Sequence, residues 1–156
     1  MKYILSVLLI YSSYFSFGQM TFSEMIKIHK MDFEGFETYA IGRGYELDNF
    51  DRDDENLNGI VYVKGVEKQT KYLKLYDKFY AWGVTVDYQT NNSTEVLNIK
   101  NQSISMGYKL SDTYFNDKTQ VKVYSSKKNT LRVFTMPPNE EGDRNWVTYE
   151  ITLSEF

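Results

Sequence analysis

The sequence predicts an α+β protein in which one antiparallel sheet carries helices on one face and leaves the other face open. Three observations predict it: capped helical stretches precede each group of strands, the strands alternate in polarity, and a Gly-Tyr-x-Leu segment occurs twice. Alternation with period two is typical of a sheet with one buried face. Helices packed on that buried face give the layered arrangement of an α+β fold.

The first 18 residues have the features of a cleaved signal peptide. Lys2 provides a positive start, an apolar stretch follows from Tyr3 to Tyr11, and the small residues Ser16 and Gly18 come before Gln19. The whole run is shorter than the roughly 20 residues that span a bilayer. We therefore expect residues 1–18 to be removed near Gly18–Gln19. The mature chain is expected to be periplasmic or secreted, with no transmembrane segment.

Each predicted helix begins at a capping residue, and the second and third helices end at a glycine. Thr21 and Glu24 have the spacing of a capping box, which predicts that the first helix starts there. Polar caps satisfy free amides at a helix start, and glycine takes the left-handed conformation at its end. The other start and stop residues are Asp32 with Gly42 and Gly44 for a second helix, and Asn92 or Ser93 with Gly107 for a third at roughly Thr94–Met106.

Two segments of the chain run in parallel and predict a duplicated unit. Gly-Tyr-x-Leu begins at Gly44 and again at Gly107, 63 residues later, and Trp82 and Trp146 are 64 residues apart. After each Gly-Tyr-x-Leu we expect a polar loop and then strands, with the tryptophan opening the last strand. The predicted organisation is repeat unit 1 at 19–90 and repeat unit 2 at 91–156, which together form one domain. Each unit is an α-β-β-β arrangement with an optional fourth strand. The expected strands are 60–64, 71–76 and 81–86 in the first unit, and 121–124, 130–134 and 145–151 in the second.

The alternation divides the strand residues between two faces. The face expected beneath the helices carries Val61, Val63, Leu73, Leu75, Val121, Val123, Leu131, Val133, Val147 and Ile151. The opposite, open face is expected to carry Tyr62, Tyr72, Lys74, Tyr76, Lys122, Tyr124, Arg132, Phe134 and Trp146.

The residues assigned to the open face suggest a binding function. Tyrosine, tryptophan and arginine are enriched at binding hot spots. The leading hypothesis is therefore a non-enzymatic exported module that engages a protein or peptide through this face. Two alternatives use the same side chains: cross-strand aromatic pairs that only stabilise the sheet, and a carbohydrate- or envelope-binding accessory protein.

Composition argues against several other function classes. Hydrophobic residues make up 42% and charged residues 25%, which is typical of a folded globular chain. The net charge of −3 provides no basic field for nucleic acid. There is no cysteine and only one histidine, which excludes disulfides, thiol catalysis and zinc sites built from cysteine and histidine. We expect no metal, no cofactor and no nucleic-acid partner.

Motifs that could carry catalysis have simpler explanations. His29 lies near the end of the first predicted helix, where the helix dipole favours its charged form, and no nucleophile is placed to pair with it. Ser125 and Lys128 have Ser-x-x-Lys spacing, but that motif requires the serine to open a helix, and here it lies in a predicted hairpin turn. A small hydrolase is therefore the third hypothesis, and no catalytic residue is assigned.

The order of elements resembles the tandem repeat fold of beta-lactamase inhibitor proteins. The resemblance depends on Gly44–Leu47 and Gly107–Leu110 between helix and sheet and on the strands of Trp82 and Trp146. It implies a helical hairpin packed on a four-stranded antiparallel sheet in each unit, and a concave joined sheet facing a protein partner. The chain has no sequence motif of that family and none of the cysteines that stabilise those inhibitors. No inhibitory residue is carried over, and lactamase inhibition is not expected.

Overall fold

The computed structural model describes residues 19–53, 56–65, 71–76, 84–139 and 146–155, with only the backbone described for 51–53, 56–58 and 71–76. This part of the chain is an α+β fold, as predicted. It forms three helices and eight strands: α1 Phe22–Ile28, α2 Phe33–Gly42, β1 Glu46–Asp53, β2 Asn56–Lys64, β3 Lys71–Tyr76, β4 Thr85–Thr90, α3 Ser93–Ser105, β5 Lys109–Asn116, β6 Thr119–Ser125, β7 Asn129–Met136 and β8 Thr148–Glu155. No helix among the described residues is long and apolar enough to cross a membrane.

The helix starts and stops predicted from the sequence are confirmed. Thr21 and Glu24 form a reciprocal capping box at α1, and the side chains of Asp32 and Asn92 accept backbone N–H groups at the starts of α2 and α3. Gly44 and Gly107 follow α2 and α3 with φ of 75° and 92°, the left-handed region that favours glycine. Local side-chain chemistry thus sets the helix boundaries.

All eight strands form one antiparallel sheet in the order β1-β2-β3-β4-β8-β7-β6-β5. Strands β1–β4 therefore occupy one half, β5–β8 the other, and the two halves meet where β4 pairs with β8. The strand order of one half is the mirror image of the order of the other half about the β4–β8 pair. The duplication of the sequence itself stays a prediction.

The polar segments expected to be loops after each Gly-Tyr-x-Leu are instead strands β1 and β5. They form the two edges of the sheet. An edge strand has one neighbour, and every residue of β5 is exposed. Polar side chains are therefore tolerated on both of its faces, and the apolar–polar alternation that marks a strand is absent. The loop prediction was wrong for this reason.

The last strand of each half begins later than predicted. Strand β8 starts at Thr148, so Trp146 lies in a bend two residues before it and does not open the strand. Strand β4 spans Thr85–Thr90, whereas 81–86 was expected. Trp82, and with it the comparison of the two tryptophans, lies outside the described residues.

The core lies between the helices and one face of the sheet, which we call the core face. The helices contribute buried apolar residues at helical spacing: Phe22, Met25, Ile28, Phe36, Ala40, Val96 and Ile99. The middle of the sheet contributes Val86, Tyr88, Leu131, Val133, Ile151 and Leu153. The predicted burial of Leu131, Val133 and Ile151 is confirmed. Leu73 and Leu75 lie in register with Tyr88 and Val86, but their side chains are outside the description, and Val147 is half-buried in the segment before β8.

Strand β2 faces the opposite way from the prediction. Tyr62 is 1% exposed and its ring meets the Phe36 ring edge-on, with centroids 5.5 Å apart. Ile60 belongs to the same core cluster, so Val61 and Val63 lie on the open face. Both alternating sets of β2 are apolar or aromatic, so periodicity could not choose between them. Pairing with β3 decided the choice, and the prediction of Tyr62 as an open-face residue was wrong.

Strand β6 is reversed in the same way. Tyr124 is 5% exposed and joins the core opposite Leu131, so Val121 and Val123 lie on the open face. Lys122 has the same parity as Tyr124 and pairs with Val133, which places it on the core-face side, where it is half-exposed. The open-face predictions for Tyr124 and Lys122 were therefore wrong. The alternation had predicted Val121 and Val123 as the core residues of β6, and the structure buries Tyr124 there in their place.

Candidate binding surface

The open face of the sheet is the surface opposite the three described helices. Its described side chains in the central strands are mainly polar and half-buried: Thr85, Asp87 and Gln89 on β4, Glu150 and Thr152 on β8, and Arg132 and Phe134 on β7. Period-two alternation places them there, because the intervening residues Val86, Tyr88, Ile151 and Leu153 fill the core.

Arg132 is held within this face by its neighbours. It lies between Val123 and Thr152 in the register, and its Nη1 donates to the Ser154 hydroxyl across 3.2 Å. Only one guanidinium donor is used by that bond, and the side chain is half-exposed. Since a guanidinium carries five N–H donors, Arg132 can still bind a carboxylate or a backbone carbonyl.

An apolar strip lies beside Arg132. Phe134 is half-exposed and pairs with Val121, which in turn pairs with the exposed Tyr114 of β5. Val121 is buried although it lies on the open face. A ring packed beside buried aliphatic surface presents apolar area at little cost in conformational entropy, which suits a binding contact.

A polar pair extends this strip toward β4. Gln89 Nε2 donates to Glu150 Oε2 across 2.6 Å, and Glu150 lies opposite Phe134 in the register. The face therefore combines a cation, a carboxylate–amide pair and an aromatic ring on three neighbouring strands. This mixture suits an extended chain that offers both backbone hydrogen bonds and side chains.

The remaining predicted residues are only partly placed. By backbone register, Tyr72 pairs with Gln89, Lys74 with Asp87, and Tyr76 with Thr85, so all three occupy open-face positions on β3. Their side chains are outside the description. Trp146 is half-exposed in the bend before β8. Of the nine predicted site residues, Arg132 and Phe134 are thus the pair that the described side chains bring together.

A buried polar cluster, unexpected from the sequence, lies in the core at the start of α3. The Glu95 carboxylate is fully buried; its Oε1 accepts the Met20 N–H at 2.5 Å and the Tyr88 hydroxyl at 2.9 Å, and its Oε2 accepts the Thr90 hydroxyl at 3.1 Å. Glu95 precedes Ile99 by one turn, so its place on the apolar face of α3 was readable from the spacing. The cluster ties Met20, β4 and α3 together.

Burial perturbs Tyr88 of this cluster and the buried Tyr45, which interacts with both Tyr88 and Glu95. Desolvation raises the pKa of Tyr45 to about 12, and the neighbouring Glu95 charge adds to that effect. Desolvation also raises the pKa of Tyr88 well above its usual range, with further contributions from Tyr45 and Glu95. Both phenols therefore stay neutral at physiological pH, and Tyr88 serves Glu95 as a donor. We assign the cluster a structural role because its groups are buried.

The histidine and the Ser-x-x-Lys motif keep their structural interpretations. His29 is buried, and its Nε2 lies 2.9 Å from the carbonyl oxygen of Val84. The segment around Ser126 turns between β6 and β7, where the Ser126 hydroxyl accepts from the N–H groups of Lys128 and Asn129. Among the described residues, no group of three His, Cys, Asp or Glu side chains is placed to hold a metal ion.

Comparisons with known proteins give no further guide to this surface. No family model matches the chain, and no curated protein and no solved structure matches it.

Proposed function

We propose that this protein is an exported, non-enzymatic binding module that engages a protein or peptide through the open face of its sheet. The observation that carries the proposal is the half-exposed pair Arg132 and Phe134 on β7, beside the Gln89–Glu150 pair. Arginine and aromatic side chains are the types that dominate binding energy when a partner covers them. The three described helices pack on the other face.

Export is the second part of the proposal and depends on the leader at 1–18. A cut before Gln19 leaves Met20 with a peptide N–H, which is the group that Glu95 accepts in the core. A cut one residue later would place a charged amine there. Mass spectrometry of the exported protein tests this directly: a mature chain beginning at Gln19 supports it, and intact Met1 in the membrane fraction contradicts it.

The binding test compares two faces of the same molecule. Immobilised mature chain is incubated with envelope extract, and captured proteins are identified for wild type, Phe134→Ala and Arg132→Ala. Leu97→Ala is the control, since Leu97 is exposed on α3, away from the sheet. A protein captured by wild type and the control, but lost from both open-face variants, supports the proposal. Capture that survives in both open-face variants refutes it.

A glycan array with the same four proteins separates the carbohydrate alternative. Sugars also stack on aromatic rings and bond to polar groups, so the same face would serve them. A glycan retained by wild type and lost from Phe134→Ala, without any protein showing that dependence, replaces the peptide proposal with the carbohydrate one.

A further inference from the structure

Strand β5 presents an unprotected sheet edge. Within the described chain it pairs with β6 alone, and each of its eight residues is exposed. Leu110 and Phe115 are 57% and 67% exposed, and Tyr114 is exposed beside them. An edge strand has a row of backbone N–H and C=O groups with no partner strand, which is a template for pairing with another chain.

The opposite edge, β1, carries the features that prevent such pairing. Its sequence has acids at Glu46, Asp48, Asp51 and Asp53 with Arg52 as the only base, and its register with β2 shifts twice. Charges and bulges of this kind are how natural proteins blunt an edge. Two copies of β1 would also repel each other.

The second half of β5 has neither the charges nor the register shifts of β1, although the Thr113 N–H donates to Asp112 Oδ1 across 2.7 Å, a bond that strand pairing would replace. Its register shift lies between Leu110 and Asp112, and from Thr113 to Asn116 the strand is regular and uncharged. The segment also contains no proline or glycine. Its composition of threonine and aromatic residues favours β pairing. The two edge strands of the sheet therefore differ, because β5 can pair with another strand and β1 is protected against such pairing.

We propose that the protein forms a two-fold dimer in which β5 pairs antiparallel with β5 of a second copy, centred on Tyr114. A two-fold axis perpendicular to the sheet keeps side chains of both copies on matching faces. It places Tyr114 opposite its own copy, Thr113 opposite Phe115, and Asp112 opposite Asn116.

This register is compatible with the charges and faces of the strand. The only charge within the paired segment, Asp112, meets an asparagine amide and not a second carboxylate. Phe115 and Thr113 share the core-face side, since they pair with Gln120 and Lys122, whereas Tyr114 pairs with Val121 on the open face. The exposed side chains of Ile104 and Met106, at and after the end of α3, provide further apolar surface in this half of the molecule.

The proposed dimer does not depend on the proposed function. Because the axis is perpendicular to the sheet, both sets of helices would lie on one side and the two open faces would become continuous. Closed two-fold symmetry is the commonest arrangement of homo-oligomers. The dimer can form without a binding partner, and a partner can bind the open face of a monomer.

Cysteine crosslinking gives a direct test, because the chain contains no cysteine. Residues paired at the axis of an antiparallel ladder have Cα atoms about 4.5–5.5 Å apart, within the range that a disulfide bridges. We expect Tyr114→Cys to form a disulfide-linked dimer under mild oxidation. Phe50→Cys, an exposed position on β1, is the matched control and should stay monomeric in denaturing electrophoresis.

Sedimentation of the cysteine-free protein gives the second readout. Wild type should show a monomer–dimer equilibrium, and Phe115→Lys should raise its midpoint concentration about tenfold or more. Phe50→Lys should leave it unchanged. Both positions are exposed, so folding is retained and is checked by circular dichroism. The proposal is overturned if wild type sediments as a monomer at every concentration reached, if Phe50→Lys is the variant that dissociates it, or if Tyr114→Cys crosslinks no faster than the control.

Discussion

Removing the Glu95 carboxylate should destabilise the protein through the donors it leaves behind. Replacement by alanine leaves the Met20 N–H and the Tyr88 hydroxyl without their acceptor in a fully buried position. The Thr90 hydroxyl loses its bond to Oε2 as well. The carboxylate also lies in the first turn of α3, where the helix dipole favours a negative charge.

The expected size follows from these contacts. Each buried donor left unsatisfied costs about 1–3 kcal/mol, and three are left by the change. The loss is smallest at the Thr90 hydroxyl, which still accepts the Asn92 N–H. Some of this is offset because a carboxylate no longer has to be held away from water. We expect Glu95→Ala to lower the free energy of unfolding by about 3–5 kcal/mol, a large share of the roughly 5–15 kcal/mol typical of such a domain.

Glu95→Gln separates the charge from the hydrogen bonds. The amide keeps one oxygen facing Met20 and Tyr88, and its NH₂ group can donate to Thr90, whose hydroxyl can also accept. Only the strengthening due to the negative charge is lost, so we expect a decrease of about 1–2 kcal/mol.

Urea unfolding followed by tryptophan fluorescence measures all three proteins. The dependence of unfolding free energy on urea should be unchanged among them, so that shifts in midpoint report stability. If Glu95→Ala equals wild type, or is more stable than Glu95→Gln, then the cost of burying the carboxylate cancels its hydrogen bonds. The cluster would then not hold Met20 to α3.

Three further predictions concern the two faces, one buried tyrosine and one helix end. On β7, Leu131→Ala should lower the free energy of unfolding by about 2–5 kcal/mol because the side chain is fully buried. Phe134→Ala, on the open face, should lower it by less. The reverse order in urea unfolding would mean that the faces are misassigned. Because the pKa of Tyr45 is raised to about 12, its contribution to stability is complete below about pH 10 and is lost as pH rises through about 12. Melting temperatures between pH 9 and 12 should therefore fall less in Tyr45→Phe than in wild type, and equal slopes would contradict the assignment. Gly107→Ala should lower the free energy of unfolding by about 1 kcal/mol because of its φ of 92° alone, since no atom lies near the added carbon. Gly42→Ala has equally open space and is the control, so its melting temperature should not fall.

The sequence by itself determined the features that depend on near neighbours. Thr21, Asp32 and Asn92 cap helices because an oxygen two or three residues before a free amide can reach it wherever the rest of the chain lies. Gly44 and Gly107 end two of the helices for an equally local reason. The α+β class followed from these helices and from the strands after them.

The tertiary structure alone decided which face of β2 and β6 is buried. In β2 the two alternating sets are apolar or aromatic, so either could fill a core. In β6 the alternation favoured Val121 and Val123, because Lys122 shares the parity of Tyr124, and the tertiary structure overrode it. Pairing with β3 and β7 selected Tyr62 and Tyr124. The candidate surface therefore lost Tyr62 and Tyr124, because reversing a strand moves all its alternating side chains to the other face together.

The position of the edge strands and the burial of Glu95 also could not be predicted without the assembled fold. Strands β1 and β5 have polar sequences because an edge is exposed, and their position at the edge is set by the order of eight strands, which no local pattern encodes. Glu95 is ionisable yet fully buried, because Met20, Tyr88 and Thr90 come together from three separate segments to satisfy its oxygens. Such compensation depends on long-range contacts, so only the three-dimensional structure could reveal it.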